Sequence, residues 1–154
     1  MTSTDVDRVL IAIRSAIAAA PNANAAMKQA VHLLKDAVPH YSWVGIYLVD
    51  GEELVLGPFL GKPSPHTRIP LGKGICGAAV TAKATIIVDD VNADPRYLAC
   101  SIETKSEIVV PIMNGAEVLG EIDIDSDQPA AFGEADRVLL EQVAALLSEA
   151  VSDS

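Results

Sequence analysis

Apolar positions recur at helical spacing at the start of the chain. Val6, Val9, Leu10, Ile13 and Ile17 mark one stripe over residues 4–20. A second stripe covers about 23–38, with Asn22 or Asn24 as its cap and Pro39 as its stop. The pattern then changes to alternation. Residues 42–49 (SWVGIYLV) and 52–60 (EELVLGPFL) flank Asp50-Gly51 and predict a β-hairpin. Residues 61–68 read as a Pro/His-rich loop, 74–84 as a short helix starting on glycines, and 85–90 as a strand. A long loop with one helical turn covers 91–104. A second hairpin joins 107–113 to 117–125 around Asn114-Gly115, and an amphipathic helix spans 132–151. Strands that pair as hairpins, with helices to cover them, predict an α+β domain built on a mostly antiparallel sheet.

Alternation also assigns faces, because strand residues two apart point the same way. Val44, Ile46 and Leu48 share one face of the first strand, and Trp43, Gly45 and Tyr47 the other. Ile108, Val110 and Ile112 lie opposite Glu107, Val109 and Pro111. Val118, Gly120, Ile122 and Ile124 lie opposite Glu121, Asp123 and Asp125. The even faces can form one core with the terminal helices. The odd faces collect two aromatics and several carboxylates. Matching apolar to apolar across the second hairpin needs an odd loop or a bulge. The expected register pairs Ile108 with Ile122, Glu107 with Asp123, and Lys105 with Asp125. Two carboxyl groups opposite each other repel when ionised, so under cover one of them should stay protonated. That arrangement suits a ligand pocket; on an uncovered face the same acids are only solvated polar residues.

Composition narrows the class. The chain has 154 residues, half of them hydrophobic, which suits a single domain over 1–154 with one core. No apolar run is long enough to span a membrane, and the polar, acidic start is no secretory signal, so a cytoplasmic protein is expected. A formal net charge of −10 disfavours nucleic acid and anionic membranes as partners. Two cysteines, Cys76 and Cys100, lack the spacing of a zinc motif, and no cofactor motif is legible. The glycines of LGKGICG match neither the nucleoside-triphosphate loop nor the dinucleotide fingerprint. Cys76 sits among apolar helix residues and reads first as a small buried hydrophobe. Cys100 sits in the long loop, seven residues before Glu107. That is an unusual place for a packing cysteine.

The stretches SWVGIYLVDGEELVLGPFLGK, RIPLGKGICGAAV, YLACSIETKSEIVVPI and VLGEIDIDS resemble the free methionine-(R)-sulfoxide reductases, stand-alone GAF domain proteins. The resemblance covers nearly the whole chain. It implies a six-stranded antiparallel sheet with N- and C-terminal helices on one face and a loop-covered pocket on the other. It implies reduction of free L-methionine-(R)-sulfoxide, recycling by thioredoxin, and a homodimer through the terminal helices. By motif match, Cys100 is the nucleophile. Glu107, Asp123 and Asp125 hold the amino group and the sulfoxide, and Trp43 and Tyr47 wall the methyl end.

One departure stands out. The family carries a resolving cysteine just before RIP, and here that position is His66. Either Cys76 resolves Cys100, or thioredoxin or another thiol reduces it directly. His66 itself reads as a surface loop histidine, with activation of Cys100 as the alternative. The missing cysteine also keeps a second reading open, a non-catalytic GAF sensor that binds a small ligand.

Overall fold

The computed structural model of the chain describes residues 1–98 and 103–152. Helix α1 spans Ser3–Ala19 and α2 spans Ala23–Ala37. Thr2 and Asp5 cap α1 reciprocally, and Asn22 Oδ1 accepts the Ala25 N–H at the start of α2. Strands β1 (Trp43–Asp50), β2 (Glu53–Leu60) and β3 (Arg68–Pro70) follow. Helix α3 covers Gly74–Ala82 and β4 covers Ile86–Val88, with a single 3-10 turn at Val91–Ala93. Strands β5 (Ser106–Asn114) and β6 (Glu117–Ser126) then lead to α4, Glu134–Ser152.

The six strands form one antiparallel sheet in the order β3-β2-β1-β6-β5-β4. Strand β6 is central, so its two faces decide what each side of the domain becomes. Ile122 and Ile124 join Val44, Ile46, Ile108, Val110 and Ile112 on one side. Leu10 and Ile13 of α1, Leu34 of α2, and Leu139, Leu140 and Leu147 of α4 pack onto them. Each such side chain contributes about 1.5–3 kcal/mol by leaving water. A smaller apolar cluster on the opposite side contains Trp43, Tyr47, Ile69, Ile75, Cys76 and Val109. The even and odd faces therefore separate as the alternation predicts.

Asp136 ties the start of α4 to the segment before β1. It is buried, accepts hydrogen bonds from the Gly133 N–H and the Tyr41 hydroxyl, and lies 2.9 Å from His40 Nε2. Burial, with the Asp136 charge next, pushes the Tyr41 hydroxyl far above its ordinary pKa.

Two expectations are corrected. Strand β3 falls where the pattern gave a loop running into unassigned residues. Three residues ending on Pro70 carry too little alternation to register, yet they pair with β2 at Glu53–Val55. The second hairpin also closes nearer its turn than expected. Glu107 lies opposite Asp125, not Asp123; Ile108 opposite Ile124, not Ile122; and Val109 opposite Asp123. Lys105 precedes the paired residues, and Ser106 pairs with Ser126. The cause is local. Asn114 and Glu117 pair across a two-residue turn that uses the positive φ of Gly115. Leu119 is then left over between the Ile112–Gly120 and Met113–Val118 pairs, as a bulge. The bulge restores the apolar-to-apolar parity that a bare two-residue turn would have broken.

Candidate active site

The face of the sheet away from α1, α2 and α4 carries the chemistry. Four acids lie close together there, and all are enclosed: Glu121 is 0% exposed, Asp123 3%, Asp125 4% and Glu107 5%. The backbone pairing explains their arrangement. Asp125 sits between Trp43 on β1 and Glu107 on β5, Asp123 between Gly45 and Val109, and Glu121 between Tyr47 and Pro111. Helix α3 covers this face and sets the Cys76 thiol 3.5 Å from Asp123 Oδ2.

Electrostatics follow from enclosure. Burial pushes the Glu121 carboxyl well above its ordinary pKa; the Cys76 thiol opposes this and the Asp123 charge adds to it. Burial also raises Asp123, against hydrogen bonding from Glu107 and Cys76. Asp125 is pushed well up by burial and then by Asp123. None of the Lys or Arg ion pairs among the described residues reaches Glu121, Asp123 or Asp125. Among the described residues, Asp123 Oδ1 and Asp125 Oδ1 are buried with no hydrogen-bond partner, and the Glu121 oxygens have none but the Cys76 thiol close beside them. A native protein rarely leaves such atoms unpaired without a functional reason. The Cys76 thiol, surrounded by these groups, is pushed well above its ordinary pKa by burial first, then by Asp123, Glu121 and Glu107.

Trp43 forms the wall beside Asp125. Its ring stacks on Phe59 at 5.7 Å, and its Nε1–H donates to the Lys62 carbonyl at 2.9 Å. Two glycines make room for it. A Cβ on Gly45 would come within 2.3 Å of the indole, and one on Gly61 within 2.6 Å. Tyr47 is fully buried, and its hydroxyl donates to the His66 carbonyl at 2.7 Å, which anchors the loop before β3.

Two cavities open onto the acids. The outer one, about 90 Å³, is lined by Trp43, Lys62, Ser64, Thr104, Asp125 and Asp127. The Lys62–Glu103 ion pair, 2.5 Å, joins two segments of its rim. The inner one, about 20 Å³, is lined by Tyr47, His66, Cys76, Leu98, Glu107 and Asp123. His66 stays in a loop, half-buried, and is one of the residues lining this inner cavity. Cys100, the expected nucleophile, lies outside the described residues.

The fold thus brings Trp43, Tyr47, Cys76, Glu107, Asp123 and Asp125 to one face. Sequence reasoning placed Glu121 on this face without giving it a part. Its signal was the strand parity it shares with Asp123 and Asp125.

Comparison with known proteins agrees with this geometry. The chain matches the GAF domain family over residues 3–151. The free methionine-R-sulfoxide reductase of Saccharomyces cerevisiae is 43% identical over 122 residues, which cover 77% of this chain and 67% of that protein. The structure of free methionine-R-sulfoxide reductase from Neisseria meningitidis in complex with its substrate superposes with a TM-score of 0.92. It is 37% identical, covering 99% of this chain and 92% of that one. The type II free methionine-R-sulfoxide reductase of Thermoplasma acidophilum is 41% identical with a TM-score of 0.83, covering 85% of this chain and 93% of that one. A GAF sheet whose covered face holds a row of acids beside a tryptophan, at these identities, means that the chain belongs to the free methionine-R-sulfoxide reductase family of GAF domain proteins.

Proposed function

We propose that the chain reduces free L-methionine-(R)-sulfoxide to methionine, with Cys100 as the attacking sulfur. The observation that carries this reading is the enclosed row of carboxyl groups with unpaired oxygens beside Trp43. A free amino acid brings an ammonium group that such oxygens can accept, and its S-methyl end packs on an indole face. Residues inside a protein chain lack that ammonium, which accounts for a preference for the free amino acid.

In the proposed reaction the Cys100 sulfur bonds to the sulfoxide sulfur. The carboxyl row, held towards its neutral form by burial, supplies the proton that the departing oxygen needs. The oxygen passes to Cys100 as a sulfenic acid, and methionine leaves. The substrate sulfur gains two electrons and the cysteine sulfur loses two. A thiol then attacks the sulfenic acid, releasing water, and a second thiol frees Cys100 from the resulting disulfide. Cys76 is a poor candidate for the first of these thiols. Its burial and the acids around it oppose the thiolate that the step requires. Thioredoxin acting directly on Cys100 is the recycling route we favour. A homodimer through the terminal helices belongs to the same reading, and Ile11 of α1 and Val138 of α4 are exposed there.

The test supplies the R and S sulfoxides separately with thioredoxin, thioredoxin reductase and NADPH, and follows NADPH loss. Turnover of the R isomer alone is expected. No R-specific turnover, with dithiothreitol failing as reductant too, would leave the ligand-binding sensor as the reading.

A further inference from the structure

The inner cavity puts a sulfur among carboxylate oxygens in a space about the size of one small guest. Cys76 Sγ, a Glu107 oxygen and an Asp123 oxygen lie within 4.8 Å of one another. Ligand atoms about 2.0–2.3 Å from a tetrahedral zinc ion stand roughly 3.3–3.8 Å apart, so side-chain rotations that close the set by about 1 Å bring all three onto one ion. The cavity they share is about 20 Å³, room for a single water or ion. A second observation points the same way. Asp123 lines that cavity, and its Oδ1 is buried without a hydrogen-bond partner among the described residues. The donor set is also selective: a thiolate with two carboxylates suits Zn²⁺ and its transition-metal neighbours better than Mg²⁺ or Ca²⁺. Cysteine spacing alone argues against zinc. The donors come from α3, β5 and β6, so no local motif records them.

We propose that Cys76, Glu107 and Asp123 form a site for Zn²⁺ and related divalent transition metals, and that metal bound there blocks substrate. The thiol releases its proton to solvent as the sulfur–metal bond forms. The inhibitory part rests on the reductase reading, because Glu107 and Asp123 are the groups we assign to the substrate. The binding part stands without it.

The test uses the full chain, reduced and stripped with chelator, with Co²⁺ as spectroscopic probe and Zn²⁺ measured against a chromophoric chelator. One equivalent of Co²⁺ should give a thiolate-to-cobalt charge-transfer band in the near ultraviolet. The band should persist in Cys100→Ser and vanish in Cys76→Ser. Asp123→Asn should weaken Zn²⁺ binding at least about tenfold. If that variant fails to fold by circular dichroism, Glu107→Gln takes its place. No band in the folded wild type, or a band that follows Cys100 instead of Cys76, overturns the site. In the reductase assay one equivalent of Zn²⁺ should raise the apparent KM for the R sulfoxide and leave kcat unchanged. Unaltered kinetics overturn the inhibitory part. A protein that binds metal through Cys76 but never turns over sulfoxide refutes the reductase and keeps the site. Turnover without metal binding does the reverse.

Discussion

Glu121→Gln removes a titrating group with almost no change of shape, at a position with no exposure to solvent. The groups facing it are the Cys76 thiol from α3, Asp123 along β6, and Tyr47 across on β1. Burial raises the Glu121 carboxyl well above its ordinary value of 4.5. The folded protein therefore keeps a proton that the unfolded chain gives up above that pH. A raised folded pKa makes the stabilising term fully present below pH 4.5 and lost as pH climbs to the folded value. The loss approaches about 1.4 kcal/mol per pH unit between the unfolded and the folded value. Glutamine does not titrate. Wild type and variant should match within about 1 kcal/mol at pH 4, since each buries one unpaired neutral group. The variant should then become progressively the more stable of the two. Urea unfolding from pH 4 to 8, reduced and with chelator, measures this. Glu107, Asp123, Asp125 and Cys76 remain in both proteins and largely cancel in the difference. Parallel stability curves, or a variant weaker than wild type at pH 7, would show that Glu121 is satisfied in solution and that its enclosure was misjudged.

Cys100→Ser should abolish turnover of the R sulfoxide, whereas Cys76→Ser should keep most of the thioredoxin-supported rate; the NADPH-linked assay separates them, and a dead Cys76 variant would restore it as the resolving thiol. Gly45→Ala should displace the Trp43 indole, because the new Cβ meets it at 2.3 Å. The expected cost is about 1–3 kcal/mol of stability by denaturant titration, together with a raised KM. Asp136→Ala leaves the Tyr41 hydroxyl and the Gly133 N–H without their acceptor. It should cost about 1–3 kcal/mol and lower Tm by about 2–4 °C for each of them, while leaving the KM for sulfoxide unchanged.

The fold and half of the site were legible for the same reason. A strand has a period of two, so β1, β5 and β6 each announced which residues would leave for the core and which would collect opposite. That parity survived an error of register, because the bulge at Leu119 and the true turn change the pairing by an even step overall. Trp43, Tyr47, Glu107, Asp123 and Asp125 therefore reached one face even though Glu107 meets Asp125 and not Asp123. Depth was not legible. Whether an acid on a sheet face is solvated or sealed depends on what lies over it, and α3 and the loop carrying His66 reach that face only through tertiary contacts. The same covering turns Cys76 from a packing residue into the neighbour of three carboxyl groups, and Glu121 from a bystander into a fully enclosed acid. Pattern within an element tells which side a residue takes. The chemistry it then meets is set by distant elements, and here that chemistry accumulates on the central strand β6, where both neighbours and a covering helix exclude water at once.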